Sequence, residues 1–243
     1  MGYSSEAATR FYRGVDTVGR WLNVELEGLE RLPRGRALLV ANHAFGWDVM
    51  LPIAAIRRAT GRTVWTLGEH LWWKVPLLRR VAAAVGTVDG TRANVDELLA
   101  RDQIVLVLPG GLREAVKPRE LRYRLLWGHR YGFVRAAIRQ GAPLVPLACI
   151  GADDLFDFKG NAYARGRRWL RHGGLPVPLP ARILPIPHRT HLRYVIGEPI
   201  VPRADPSQAD DPEVLCRARL EIEGALHELI DRELARRSGI DLE

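Results

Sequence analysis

Residues 104–117 read IVLVLPGGLREAVK. A run of aliphatic, largely β-branched residues ends abruptly at Pro109-Gly110-Gly111, the pattern of a buried strand that runs into a turn and stops there. Working outward, similar short apolar runs lie at 37–41 (ALLVA), 63–67 (TVWTL) and 144–148 (LVPLA). Helical patterns fill about 49–59, 70–84, 91–101 and 119–140 between them. Strands alternating with helices of this length form strand-helix-strand units, so the expectation is a single α/β domain, a mostly parallel central sheet flanked by helices.

The flanks are read the same way. Phe11, Val15, Val18 and Leu22 make one helical stripe, which predicts an N-terminal amphipathic helix over 1–23, docked on the core or lying on a membrane. Val24 and Leu26 alternate with Glu25 and Glu27 as in an edge strand. The α/β domain is expected over 24–202, with a last strand at 191–200, and a charged C-terminal helix over 203–243. Residues 156–189 break the rhythm with basic, aromatic, Gly and Pro residues, and read as an irregular surface loop.

The 243 residues carry 36 Lys plus Arg against 28 Asp plus Glu, a net charge of +8, with a pI near 10.1. Anionic partners fit that balance: nucleic acid, anionic lipid or a phosphorylated small molecule. The basic residues are dispersed and match no nucleic-acid reader motif, so no nucleic acid is expected. Cys149 and Cys216 are too few for a disulfide framework and lack zinc spacing, so a reducing compartment and no metal are expected. The first 30 residues hold no signal-peptide core, and no apolar run nears the roughly 20 residues that span a bilayer. A cytoplasmic protein, soluble or peripherally attached, is the reading.

Two segments carry candidate chemistry. ALLVANH ends at His43, and HAFGWD brings Asp48 five residues later. On an ideal helix that offset is about 140°, so the side chains meet only across a loop, which Gly46 permits. An imidazole held against a carboxylate keeps one tautomer and can take a proton from a hydroxyl, as in a catalytic triad whose nucleophile belongs to the substrate. The plainer alternative is a helix-capping Asp48 beside an incidental histidine. In IVLVLPGGLREAVK, the glycines let backbone approach a ligand, and Arg113 and Lys117 place positive charge beyond them. Neither a Walker loop nor a dinucleotide fingerprint is present.

Together these segments resemble the lysophospholipid acyltransferase superfamily. Its Asn-His-x4-Asp motif matches Asn42, His43 and Asp48. Its second motif, usually Phe-Pro-Glu-Gly-Thr-Arg, has Leu108-Pro109-Gly110-Gly111-Leu112-Arg113 in its place, with Gly110 where the glutamate stands. That Pro-Gly-Gly form, followed by Arg113-Glu114, looks like the diacylglycerol and monoacylglycerol acyltransferase branch. Arg130-Tyr131-Gly132-Phe133, Val145-Pro146 and Gly197 to Ile200 match later motifs.

The resemblance implies a glycerol-3-phosphate acyltransferase-like fold and transfer of a fatty acyl group to a lipid hydroxyl. The donor would be acyl-CoA or an acyl carrier protein, with no cofactor. It makes His43 the general base and Asp48 its partner, and it gives Gly110, Gly111, Arg113, Glu114 and Arg130 to substrate binding. Replacement of the motif glutamate favours a neutral hydroxyl acceptor over lysophosphatidate. A lipid-binding peripheral protein without catalysis is the rival from another class. Fatty substrates require contact with an anionic membrane surface, and LWWKVPLLRR offers Trp72, Trp73 and Leu77 among basic residues. The alternative for that stretch is a core helix kinked at Pro76.

Overall fold

The computed structural model describes residues 2–44, 48–68, 73–74, 76–155 and 190–239. In chain order the elements are α1 (Ser5–Trp21), β1 (Glu25–Glu27), β2 (Ala37–Ala41), α2 (Met50–Thr60), β3 (Val64–Gly68), α3 (Pro76–Ala84) and β4 (Thr87–Asp89). They continue with α4 (Arg92–Ala100), β5 (Ile104–Val107), α5 (Gly111–Ala115), α6 (Gly132–Gln140), β6 (Leu144–Ile150), β7 (Arg193–Ile196) and α7 (Pro212–Ser238). The irregular segment 156–189 and Trp72 lie outside the described residues.

Seven strands form one sheet in the order β1-β7-β6-β2-β5-β3-β4. The run β6-β2-β5-β3-β4 is parallel throughout, β7 is antiparallel to β6, and β1 is parallel to β7. The expected α/β class and largely parallel sheet are therefore observed. β2 and β6 are buried at every position, as strands covered on both faces must be. One face carries Leu38, Val40, Val105 and Val107 against α4, α6 and α7. The other carries Ala37, Leu39, Ala41 and Leu106 against α1 and α2.

Several boundaries differ from the sequence reading, each for a local reason. The helix expected over 119–140 is reduced to α6, because Tyr123 and Gly128 adopt positive φ (61° and 56°), which a right-handed helix does not accommodate. The last strand stops at Ile196, since Gly197 packs so closely on Pro146 that a Cβ would sit 2.7 Å from its Cγ. The chain then returns to pair Ile200 with Leu144 through two 2.8 Å backbone bonds. β4, only three residues long at the sheet edge, carries too little pattern to have been expected.

Helix α1 docks on α2: Phe11, Val15 and Leu22 of the expected stripe pack half-buried against the core, and the fully buried positions are offset from it. Ala8, Tyr12 and Gly19 are buried, whereas Val18 and Trp21 are exposed, Trp21 at 78%. The helices run antiparallel. Arg57 near the end of α2 bonds Thr9, Tyr12 reaches Met50 at the start of α2, and Gly19 abuts Leu51. The carboxyl end of α1 thus lies beside the amino end of α2.

Candidate active site

The register places Val40 opposite both Val107 and Pro146, so β2 and β5 end within a residue of one another, while β6 runs on to Ile150 beside the chain that leaves β2. Carboxyl ends of parallel strands are where open α/β sheets collect their ligands. The Asn42 carboxamide secures this end, accepting from Cys149 N (2.7 Å) and donating to Cys149 O (3.0 Å). His43 follows immediately, and its Nδ1 lies 3.0 Å from Asp48 Oδ1. The other oxygen of Asp48 accepts from Ala44 N at 2.8 Å, and Tyr194 donates its hydroxyl to the Asp48 carbonyl at 3.0 Å. Asp48 does not cap α2: Val49 is the N-cap, with no side-chain bond to the helix. The carboxylate is spent on the histidine and on Ala44 N.

Asp48 is 0% exposed and His43 7%. Burial disfavours both charged forms, but their mutual attraction outweighs it. The imidazole titrates above its ordinary 6.5, with Glu114 adding to the pull, and the Asp48 carboxyl is held below its ordinary 3.8. With Nδ1 engaged by Asp48, Nε2 is the ring nitrogen without a partner among the described residues. That is the geometry of an oriented proton acceptor.

Beneath His43 lies a set of charges that sequence reasoning placed differently. Glu114, assigned to substrate binding by resemblance, is fully buried; Oε1 accepts from His43 N (2.8 Å) and Oε2 from Leu126 N (2.7 Å). Lys117, expected to project charge beyond the glycines, turns inward. Its Nζ donates to His43 O at 2.6 Å and pairs with Asp153 Oδ1 at 2.7 Å. Asp153 in turn accepts from Tyr123 N at 2.8 Å. Burial pushes the Glu114 and Asp153 carboxyls above their ordinary values, against the pull of Lys117. The clue in the sequence was charged residues just past the ends of β5 and β6, at the level where His43 leaves β2.

Gly110 is explained by the same cluster. Glu114 folds back beneath it, and a Cβ there would collide with the Glu114 carboxylate and Cβ. The expectation that Gly110 admits a ligand to bare backbone is therefore corrected: its vacant side is filled by Glu114. Gly111 has φ +52°, a left-handed value suited to glycine, and its N–H goes to Leu108 O. Arg130 donates to Pro109 O at 2.7 Å, bracing the turn, with the rest of its side chain exposed. Arg113 is exposed and has no ion pair or hydrogen bond among the described residues.

Of the residues suggested for membrane contact, Trp73 lies over Gly68, where a Cβ would come within 2.7 Å of its ring, so the indole covers the end of β3. Leu77 is 71% exposed and Val81 follows one turn later, also exposed. Because α3 joins parallel β3 and β4, its first turn is at the same end of the sheet as His43. No described helix is long and apolar enough to cross a membrane, and no described group of His, Cys, Asp and Glu could hold a metal ion.

An α/β domain with a buried His-Asp pair at the carboxyl end of its sheet defines the general class. Residues 44–174, more than half of the chain, match the family described as diacylglycerol acyltransferase, and the chain belongs to that family. An uncharacterized protein of Mycobacterium tuberculosis is 30% identical over 236 residues, covering 90% of this chain and 64% of its own length. A mouse protein described as a DGAT1/2-independent enzyme synthesizing storage lipids is 29% identical over 170 residues, 65% of this chain and 51% of that protein. The chain thus spans less than two thirds of these relatives. The crystal structure of the 1-acyl-sn-glycerophosphate acyltransferase PlsC from Thermotoga maritima superposes with a TM-score of 0.56 at 19% identity, covering 92% of this chain and 82% of that one. At that identity the likeness shows a shared fold.

Proposed function

We propose that this protein is an O-acyltransferase that moves a fatty acyl group from a thioester, acyl-CoA or acyl carrier protein, to the hydroxyl of a neutral glycerolipid or other lipid alcohol. The single observation that carries the reading is the buried His43-Asp48 pair at the strand ends, with Nε2 unpartnered among the described residues. In the reaction, Nε2 takes the hydroxyl proton as the oxygen attacks the thioester carbonyl. The tetrahedral intermediate collapses, the C–S bond breaks, and the imidazolium returns the proton to the departing thiolate. Asp48 stabilises the transient imidazolium. General-base help of this kind is worth about 10²- to 10⁴-fold, with orientation of two bound substrates adding more.

A neutral acceptor is favoured by where the basic residues point. Lys117 is consumed beneath His43 and Arg130 braces Pro109, which leaves Arg113 as the cation of the glycine turn without a partner among the described residues. The family description and the storage-lipid name of the mouse relative support the same direction. Lipid substrates would reach the site from an anionic bilayer surface met by Trp21, Val18 and Leu77, apolar side chains exposed at the His43 end of α1 and α3, with Val81 exposed one turn further along α3.

The test is release of free thiol from acyl-CoA and acyl carrier protein by purified protein presented with diacylglycerol, monoacylglycerol, long-chain alcohol and lysophosphatidate. Turnover with the uncharged acceptors, abolished in His43→Ala, is the expected result. Turnover confined to lysophosphatidate would overturn the acceptor assignment. Vesicle binding with no thiol release for any acceptor would identify a lipid-binding protein instead.

A further inference from the structure

We infer that Glu114 and Lys117 are positioning residues that hold the base by its backbone, one gripping the N–H and the other the C=O of His43. The inference rests on the reading of His43 as the proton acceptor. The contacts are Glu114 Oε1 to His43 N at 2.8 Å and Lys117 Nζ to His43 O at 2.6 Å. Both come from the segment that follows β5, one strand away from β2, and they lie three residues apart at the end of a single short helical turn. With both backbone polar groups of His43 held by buried charged side chains, the Cα–Cβ direction is fixed before any substrate arrives. Asp48 then needs to set only the rotation of the ring.

Each grip is itself anchored elsewhere. Glu114 spends its second oxygen on Leu126 N, and Lys117 is held by Asp153, which accepts from Tyr123 N. The segment between β5 and α6 is thereby tied to the base, and Gly110 is the residue that makes room for it. This is a load of buried charge that a merely packed turn would not need. An unpaired charge in such a place is strongly destabilising, so the two opposite charges are retained together.

The arrangement also gives His43 an electrostatic surrounding of mixed sign. The titratable groups around it are Asp48 on its own loop, Glu114 and Lys117 after β5, Cys149 and Asp153 at and beyond the end of β6, and Tyr194 on β7. Glu114 favours the imidazolium and Lys117 opposes it. Removing one or the other must therefore move the histidine in opposite directions, which loss of packing alone would not do.

The experiment uses the full chain, with acyl-CoA and the best acceptor from the panel above. For Glu114→Gln and Lys117→Met, kcat and KM are measured across pH, and the His43 imidazole is titrated by NMR, assigned by its absence in His43→Ala. Expected are a kcat lowered about 10- to 100-fold by misplacement of the base with KM nearly unchanged, the His43 titration moved to lower pH in Glu114→Gln, and to higher pH in Lys117→Met. Should either variant fail to fold, the wild-type His43 amide decides: strong protection from exchange is expected, and exchange at the rate of an open loop would overturn the grip. Transfer surviving in His43→Ala sinks the base assignment itself. Transfer lost there, while the titrations of both folded variants coincide with wild type, sinks the clamp alone.

Discussion

The carboxamide of Asn42 satisfies both backbone groups of Cys149, donating to its carbonyl at 3.0 Å and accepting from its N–H at 2.7 Å across the β2–β6 boundary. It does what one further rung of the parallel ladder would do, at the point where β2 must leave the sheet to present His43. Asn42 is wholly buried. In Asn42→Ala the two Cys149 groups are left bare, at about 1–3 kcal/mol for each. Urea unfolding should show a loss of at least about 2 kcal/mol, with transfer falling as well because His43 is next in the chain. Unchanged stability would mean that water or a shifted backbone replaces the amide.

Asp48→Asn tests the partner of the base. The amide keeps the shape of the carboxylate but not its charge, so the imidazolium formed in the reaction loses its counter-ion. A rate lowered by about 10²- to 10⁴-fold with the fold retained is expected. The pH profile carries the sign. Wild-type activity should rise with pH as His43 deprotonates, and the limb should lie above 6.5 because Asp48 and Glu114 hold the proton on the ring despite burial. Without Asp48 that hold weakens, so the limb moves to lower pH even as the plateau falls. A limb that stays in place would show that another group governs it.

Stability should depend on pH through the same cluster. Glu114 and Asp153 are raised by burial above their ordinary 4.5 and 3.8. The folded chain then binds more protons than the unfolded one between those values and the higher folded ones, so stability falls as pH rises through that window. Asp48 has the opposite sign: lowered below 3.8, it adds stability that is present above 3.8 and lost as pH falls through its folded value. Chemical denaturation from pH 3 to pH 8 should therefore show the wild type losing ground to Glu114→Gln as pH climbs above 4.5. A constant difference between the two would mean that Glu114 titrates as it does in the unfolded chain.

Attachment to lipid can be separated from catalysis. Trp21 and Leu77 are mostly exposed, so Trp21→Ser and Leu77→Ser should leave unfolding within about 0.5 kcal/mol of wild type. Each removes apolar area worth about 1.5–3 kcal/mol on full burial, or roughly 10- to 150-fold in partitioning to phosphatidylglycerol vesicles. Sedimentation with such vesicles measures it, and raised salt should weaken the binding further because the chain carries +8. Equal partitioning of both variants and wild type would place the contact elsewhere.

The elements legible in the sequence were those with a dense local pattern. ALLVA became β2 residue for residue, and His43 meets Asp48 as their spacing allows. The inward turn of Lys117 and the fold-back of Glu114 were not legible, because both answer to partners far along the chain. His43 lies more than 70 positions before them, and Asp153 more than 30 after. A lysine at the end of AVK reads as solvated until a buried aspartate and a bare carbonyl are brought to it by the sheet. The stripe of α1 was legible in Phe11, Val15 and Leu22, which pack on the core, but not the burial of Gly19 against Leu51, which hydropathy does not encode.

The glycine turn offers the sharpest test of that long-range logic. The resemblance puts a glutamate at position 110 in most relatives of the superfamily, yet a Cβ at Gly110 meets the Glu114 carboxylate head-on. Gly110→Ala should therefore cost about 1–3 kcal/mol through forced displacement of Glu114. The cost should shrink once the Glu114 side chain is removed down to its Cα, because carboxylate and Cβ are both in the way. In a double-mutant cycle of Gly110→Ala with Glu114→Gly, which removes the Glu114 Cβ as well as its carboxylate, the two effects should fall short of additivity by about 0.5–3 kcal/mol. Additive losses would mean that the turn rejects a side chain for its own backbone's sake, and that the carboxylate under it is an independent neighbour.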